Sequence, residues 1–194
     1  MKSTVRGVTV IIGVALVAML AGNAVADDEL RDKLTAHLKP GASPNSAIVE
    51  FWMSNTNPVL AMTLPFKFAA GDSLAFDSIV TRGGLIADFP VVEPVYRSEN
   101  QTLLVQIMWA KNTSVQADPI PPGQGPLLRL HLSTPGEFPM DDFRMASVQL
   151  PPENVLMFVT ATLNSVTPDF ELTRKAPPAS WGETAQQPKS DGSE

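Results

Sequence analysis

The chain has 194 residues, a formal net charge of −6 and no cysteine, and charged residues make up only 18% of it, against roughly 25% in an ordinary globular domain. Without cysteine there is no disulfide framework, no thiolate metal site and no cysteine nucleophile. The acidic balance argues against a nucleic-acid partner, whose phosphates require a basic patch, and against electrostatic docking on an anionic membrane.

Met1 to Ala26 reads as a secretory signal. Lys2 and Arg6 form a basic start, Val8 to Ala21 is apolar and uncharged, and Ala24-Val25-Ala26 offers small residues before Asp27, the pattern a signal peptidase reads. The apolar run is 14 residues long, short of the roughly 20 that cross a bilayer core. The expectation is cleavage and export to a secreted, periplasmic or cell-surface location, with no membrane attachment afterwards. Losing Lys2 and Arg6 leaves twelve basic residues against 20 acidic, a net charge of −8.

Residues 27–43 read as an N-terminal tether. Leu30, Leu34 and Leu38 lie four apart, which fits one short amphipathic helix with Asp27, Asp28 and Glu29 at its positive end. Pro40-Gly41 stops it. His37 then projects into solvent.

A β-rich region follows, over residues 44–173. Ser46 to Met53 is apolar on both faces except at Glu50 and reads as a central strand. The turn cluster SNTNP leads into LAMTLPFKF, where Leu60, Met62, Leu64, Phe66 and Phe68 occupy alternate positions. A period of two puts all five on one face of a strand, and a helix would scatter them. Pro65 cannot donate to a ladder, so an edge or a bulge is expected there. Further strands are expected at Leu74 to Thr81, Val91 to Arg97, Thr102 to Trp109, Leu127 to Leu132, Met145 to Leu150, Val155 to Thr160 and Val166 to Leu172. In the sixth of these nine, Leu128, Leu130 and Leu132 point inward, and Arg129 and His131 outward. Residues 174–194 are polar and rich in Pro, Ser, Gln and Gly, and read as a disordered tail. Nine short strands without helical patterns between them specify an all-β, antiparallel sandwich rather than βαβ units.

Catalytic material is sparse, and the reading is a non-enzyme. The histidines are His37 and His131 alone, no G-x-S-x-G elbow is present, and no zinc-ligand spacing occurs. Asp72, Asp77, Asp88, Asp141 and Asp142 lie near turns, and nothing pairs them at the roughly 5–9 Å that glycoside hydrolysis requires. No cofactor is expected. Calcium at Asp141-Asp142 would lack the usual D-x-[DN]-x-[DN]-G loop. The remaining site material is aromatic: Trp52, Trp109 and Tyr96, exposed as a coplanar strip, could stack on a polysaccharide. For a flat protein-binding face, the strands carrying Gln106, Arg129 and His131 on their polar side are the chosen candidates.

The order of the segments FWMSNTNPVLAMTLPFKF, SLAFDSIVTRGG, TLLVQIMW, PIPPGQGPLLRLHLSTPGEF and LMFVTATLNSVTPDF resembles a bacterial cohesin domain, over about Pro44 to Thr173. The resemblance implies a nine-stranded jelly-roll sandwich related to carbohydrate-binding modules of families 2 and 3. It implies a non-catalytic module whose partner is an extracellular protein, for true cohesins the calcium-loaded helices of a dockerin, held on one flat sheet face. Recognition of polysaccharide through exposed aromatics is the alternative.

Overall fold

The computed structural model describes residues 31–71, 73–112, 114–178 and 181. The expected signal peptide lies outside them. Thirteen strands and no helix occur among the described residues.

One sheet has five strands: β1 (Lys33–Pro40), β2 (Ser46–Asn55), β4 (Ala75–Val80), β9 (Gly123–Ser133) and β13 (Asp169–Thr173), in the spatial order β13-β1-β2-β9-β4. The other has β3 (Val59–Ala69), β5 (Val91–Arg97), β6 (Thr102–Met108), β10 (Arg144–Ser147), β11 (Met157–Thr160) and β12 (Ser165–Val166). Its order is β12-β11-β3-β6-β5, with β10 also pairing β3. A hairpin of β7 (Ala110–Asn112) and β8 (Val115–Gln116) stands apart. Each of the nine expected strands has a counterpart, and β1, β7, β8 and β12 are additional. All pairings are antiparallel except β1 with β13, which run parallel.

The first correction falls on the expected helix. Residues 33–40 form β1, paired along its whole length with β2. Leu34, Ala36 and Leu38 point into the core, and His37 is buried at 5% exposure rather than solvated. A spacing of four fits one helical turn, but it equally fits two strand repeats. The unpaired edge of β2 decides between them, because an exposed ladder of N–H and C=O groups is stabilised by a further strand.

The period-two stripe of β3 is observed. Met62, Leu64, Phe66 and Phe68 are buried and face Phe51 and Phe143, with ring centroids 5.2 Å apart for Phe51–Phe66 and 6.0 Å for Phe68–Phe143. Leu103, Val105 and Ile107 from β6 and Leu128, Leu130 and Leu132 from β9 complete the layer. Each such side chain contributes about 1.5–3 kcal/mol of burial free energy.

Pro65 corrects a second expectation, because β3 is an interior strand. Its carbonyl accepts from the Val148 N–H at 3.2 Å, so the side of the residue that lacks an N–H faces the same way. There the neighbouring strand changes from β11, which pairs residues 59–63, to β10, which pairs residues 66–69. The proline sits at the gap between two short strands, where no ladder donor is required.

Candidate functional site: the two outer sheet faces

A sandwich turns one face of each sheet to the core and leaves two outer faces. On the five-stranded sheet, the register places Thr173, His37, Glu50, Arg129 and Val80 in one row across β13-β1-β2-β9-β4. Thr35 and Trp52 lie in the next row. Glu50 is 1% exposed, and a carboxylate so desolvated needs compensating partners. Lys39 Nζ donates to it at 2.5 Å, Trp52 Nε1 donates at 3.2 Å, and Arg129 Nε lies 3.7 Å away. At the β1–β13 edge, Lys33 Nζ donates to Glu171 at 2.6 Å. That hydrogen bond, followed by the ammonium's charge, holds the Glu171 carboxyl below its ordinary value.

Residues beyond β13 lie against this face: residues 174–178 and Trp181, within the stretch expected to be disordered, are placed, and the rest of that expected tail lies outside the described residues. The Arg174 guanidinium donates to the carbonyls of Met140, Asp141 and Phe143. His37 Nδ1 donates to the Lys175 carbonyl at 2.9 Å, since a carbonyl can only accept. The Trp181 ring sits 4.1 Å from the Arg129 guanidinium, and its Nε1 donates to the Arg82 carbonyl at 2.9 Å. Between this segment and the sheet lies a groove of about 350 Å³ reaching His37 and Trp52.

The outer face of the six-stranded sheet is built differently. Across β5-β6-β3-β11 the first row reads Val91, Met108, Ala61, Val159, and the second Glu93, Gln106, Thr63, Met157. The third reads Val95, Leu104, Pro65, and the fourth Arg97, Thr102, Lys67 over β5-β6-β3. Val95 is 49% and Met108 42% exposed. Leu104, Met157 and Val159 are half-buried. Neither Lys67 nor Arg97 has an ion-pair partner among the described residues.

The structure separates the residues chosen from the sequence. Gln106 lies on the six-stranded face, but Arg129 and His131 lie on the opposite one, so the three form no common surface. The aromatics form no coplanar strip. Trp52 is 6% exposed. Trp109 packs against the core at the end of β6. Tyr96 turns inward between Phe68 and Phe76 and donates its hydroxyl to the Leu74 carbonyl at 2.6 Å, and burial raises its pKa. The stacking platform that polysaccharide recognition requires is therefore not assembled from them.

The carboxylates are dispersed likewise. Asp77 accepts from Ser133 Oγ at 2.8 Å, Asp88 lies in the loop before β5, and Asp141-Asp142 precede β10. Asp72 lies outside the described residues. Around Asp141 the main-chain carbonyl receives Arg144 and Arg174, so cationic side chains occupy the surroundings where calcium was considered. Among the described residues no three His, Asp or Glu side chains gather as a metal site. Missed by sequence reasoning were His37, Glu50 and Trp181. Glu50 alone carried a signal, as the one charge in an otherwise apolar strand.

The sequence matches no protein-family model and no curated protein. Its fold is similar to solved cohesins of Acetivibrio cellulolyticus. The second type II cohesin module from the adaptor ScaA scaffoldin matches with a TM-score of 0.52 at 11% identity, over 77% of this chain and 93% of that one. The sixth cohesin from scaffoldin B, solved in complex with a Cel5 dockerin mutant, matches with a TM-score of 0.52 at 12% identity, over 75% and 99%. The type II cohesin dyad of ScaA matches with a TM-score of 0.52 at 11% identity, over 76% and 50%.

Proposed function

From this cohesin-like jelly-roll sandwich, we propose that the chain is an exported, non-catalytic module that binds another protein through the outer face of its six-stranded sheet, with a dockerin-type module as the partner class. The observation that carries the reading is the contrast between the faces. One is charged and covered by the chain itself. The other presents Val95 from β5, Leu104 and Met108 from β6 and Met157 from β11, across a width of four adjacent strands, with no segment lying over them among the described residues. Three strand spacings of about 4.8 Å make this a surface about 14 Å wide, wide enough to seat a helix about 10 Å across. Its backbone groups are occupied in the sheet, so recognition proceeds through side chains rather than strand addition. Export is supported by the leader pattern of residues 1–26, and non-catalysis by the dispersal of His37, His131 and the aspartates.

The test is affinity capture from the host secretome, with and without a calcium chelator, using the wild-type module and a variant with serine at Val95, Leu104 and Met108. A partner recovered by the wild type and lost with the variant supports the reading, and its loss on chelation identifies the dockerin class. A partner retained by the variant, or none recovered in either condition, refutes it.

A further inference from the structure

The docking face is electrically polar along its length. At its first-row end, Phe89 lies two residues before Val91, Ala117 donates its N–H to the Trp109 carbonyl next to Met108, and Ile120 bridges Val59 beside β3. These three residues line an open cleft of about 970 Å³ at the end of the sandwich, walled by Leu85, a run of prolines and Gly123-Gln124 of β9 from the other sheet. The charged residues lining it are Asp88 and Asp118, with no Lys or Arg. Glu93, in the second row, adds a third carboxylate on this side. At the fourth-row end stand Lys67 and Arg97, two strands apart, about 10 Å by strand spacing. None of these five charges is in an ion pair with another described residue. Among the described residues, Lys111 and Glu99, of opposite sign to the charges at each end, lie off the six-stranded sheet, in β7 and in the turn after β5.

From the first to the fourth row is six residues of strand, about 20 Å. A helix of about 13 residues covers that length. Resting on the docking face proposed above, we infer that the partner is an amphipathic helix laid along the strands with its direction set by charge: its basic or N-terminal end at the Asp88–Asp118 cleft, its acidic or C-terminal end at Lys67 and Arg97, and its apolar stripe on Val95, Leu104 and Met108. The helix dipole has the same sense, positive at the N-terminus and negative at the C-terminus. The apolar rows supply contact area, and the charged ends discriminate between the two ways of laying the helix down.

The probe is a stapled 13-residue helical peptide with a leucine stripe, lysines in its first turn and glutamates in its last, carrying a nitroxide at the acidic end. Amide spectra of the isotope-labelled protein report where it binds, and relaxation broadening reports which way it lies. The expected result is shifts confined to β3, β5 and β6, with broadening near Arg97 and Thr102 about tenfold stronger than near Phe89 and Ala117, the bias a few exposed charge pairs provide. Reversing four charges (Asp88→Lys, Asp118→Lys, Lys67→Glu, Arg97→Glu) moves the broadening to the other end. Equal broadening at both ends, or a pattern unmoved by the reversal, with shifts still on the face, overturns the directional inference and leaves the docking face standing. Shifts elsewhere, or none at millimolar peptide, overturn both.

Discussion

The two outer faces come from the same architecture and have opposite characters. In the five-stranded sheet the middle strand β2 places Glu50, not an apolar residue, at the centre of its outer face, and the surroundings are organised to satisfy it. Lys39, Arg129 and Trp52 turn toward it, and Trp181 closes over Arg129. In the six-stranded sheet the central outer residues are Ala61, Thr63, Leu104 and Gln106, which demand no partner. A buried charge commits its face to internal interactions, whereas small and apolar groups leave a face available to another molecule. The unoccupied face, rather than the one richer in charge, is the candidate for recognition.

Four changes would break or sharpen this contrast. The largest effect is expected at Glu50. Glu50→Ala leaves the Lys39 ammonium and the Trp52 N–H without their acceptor and Arg129 without its ion-pair partner, and lowers the unfolding free energy by about 2–4 kcal/mol. Glu50→Gln, which keeps the volume and an acceptor, costs less. Urea denaturation checks both, and a loss for Glu50→Ala no larger than that of an ordinary surface substitution would erase the distinction between the faces.

Next is Trp181→Ala, which removes a stacked cation contact and an indole hydrogen bond, together about 1 kcal/mol. The loss is local, so its readout is faster trypsin cleavage after Arg174 or Lys175 with little change in the global melting temperature. Smaller still are the serine substitutions at Val95, Leu104 and Met108, each expected within about 0.5 kcal/mol of wild type in stability. Leu130→Ala in the core, by contrast, costs about 2–5 kcal/mol. If the surface variants destabilise as much as the core variant, those side chains serve packing rather than docking.

The smallest effect is with pH. Lys33 holds Glu171 below the ordinary glutamate value of 4.5, so the pair stabilises the fold above that pH and the contribution is lost as pH falls through the lowered folded value. The carboxylate is half exposed, which limits the effect to a few tenths of a kcal/mol. Lys33→Met should abolish this part of the acid limb in pH-dependent melting and leave the neutral-pH curve nearly unchanged.

Much of the fold was legible because side-chain alternation is a local property. The stripe of β3, the Leu128-Leu130-Leu132 stripe of β9 and the turn clusters between strands are written within ten residues of one another. Where two periods coincide, the sequence was ambiguous, and Leu30, Leu34 and Leu38 suggested a helix where Lys33–Pro40 is a strand. The candidate site was far less legible. Gln106, Arg129 and His131 were grouped because each is polar in an apolar strand, and alternation tells which side of its own strand a residue occupies but not which sheet the strand joins.

By itself, then, the order of residues determined that strands form, which of their faces is dry and that two layers must close over them, since each stripe needs apolar cover. Only the tertiary structure decided which strands share a sheet, that Lys175 to Pro178 and Trp181 return to one outer face, and that no other described residue lies over the second. Those outcomes depend on contacts such as His37 with Lys175 and Arg129 with Trp181, 138 and 52 positions apart in the chain. No local pattern encodes a partner at that distance, and the free energy of bringing it there is settled only when the whole sandwich has formed.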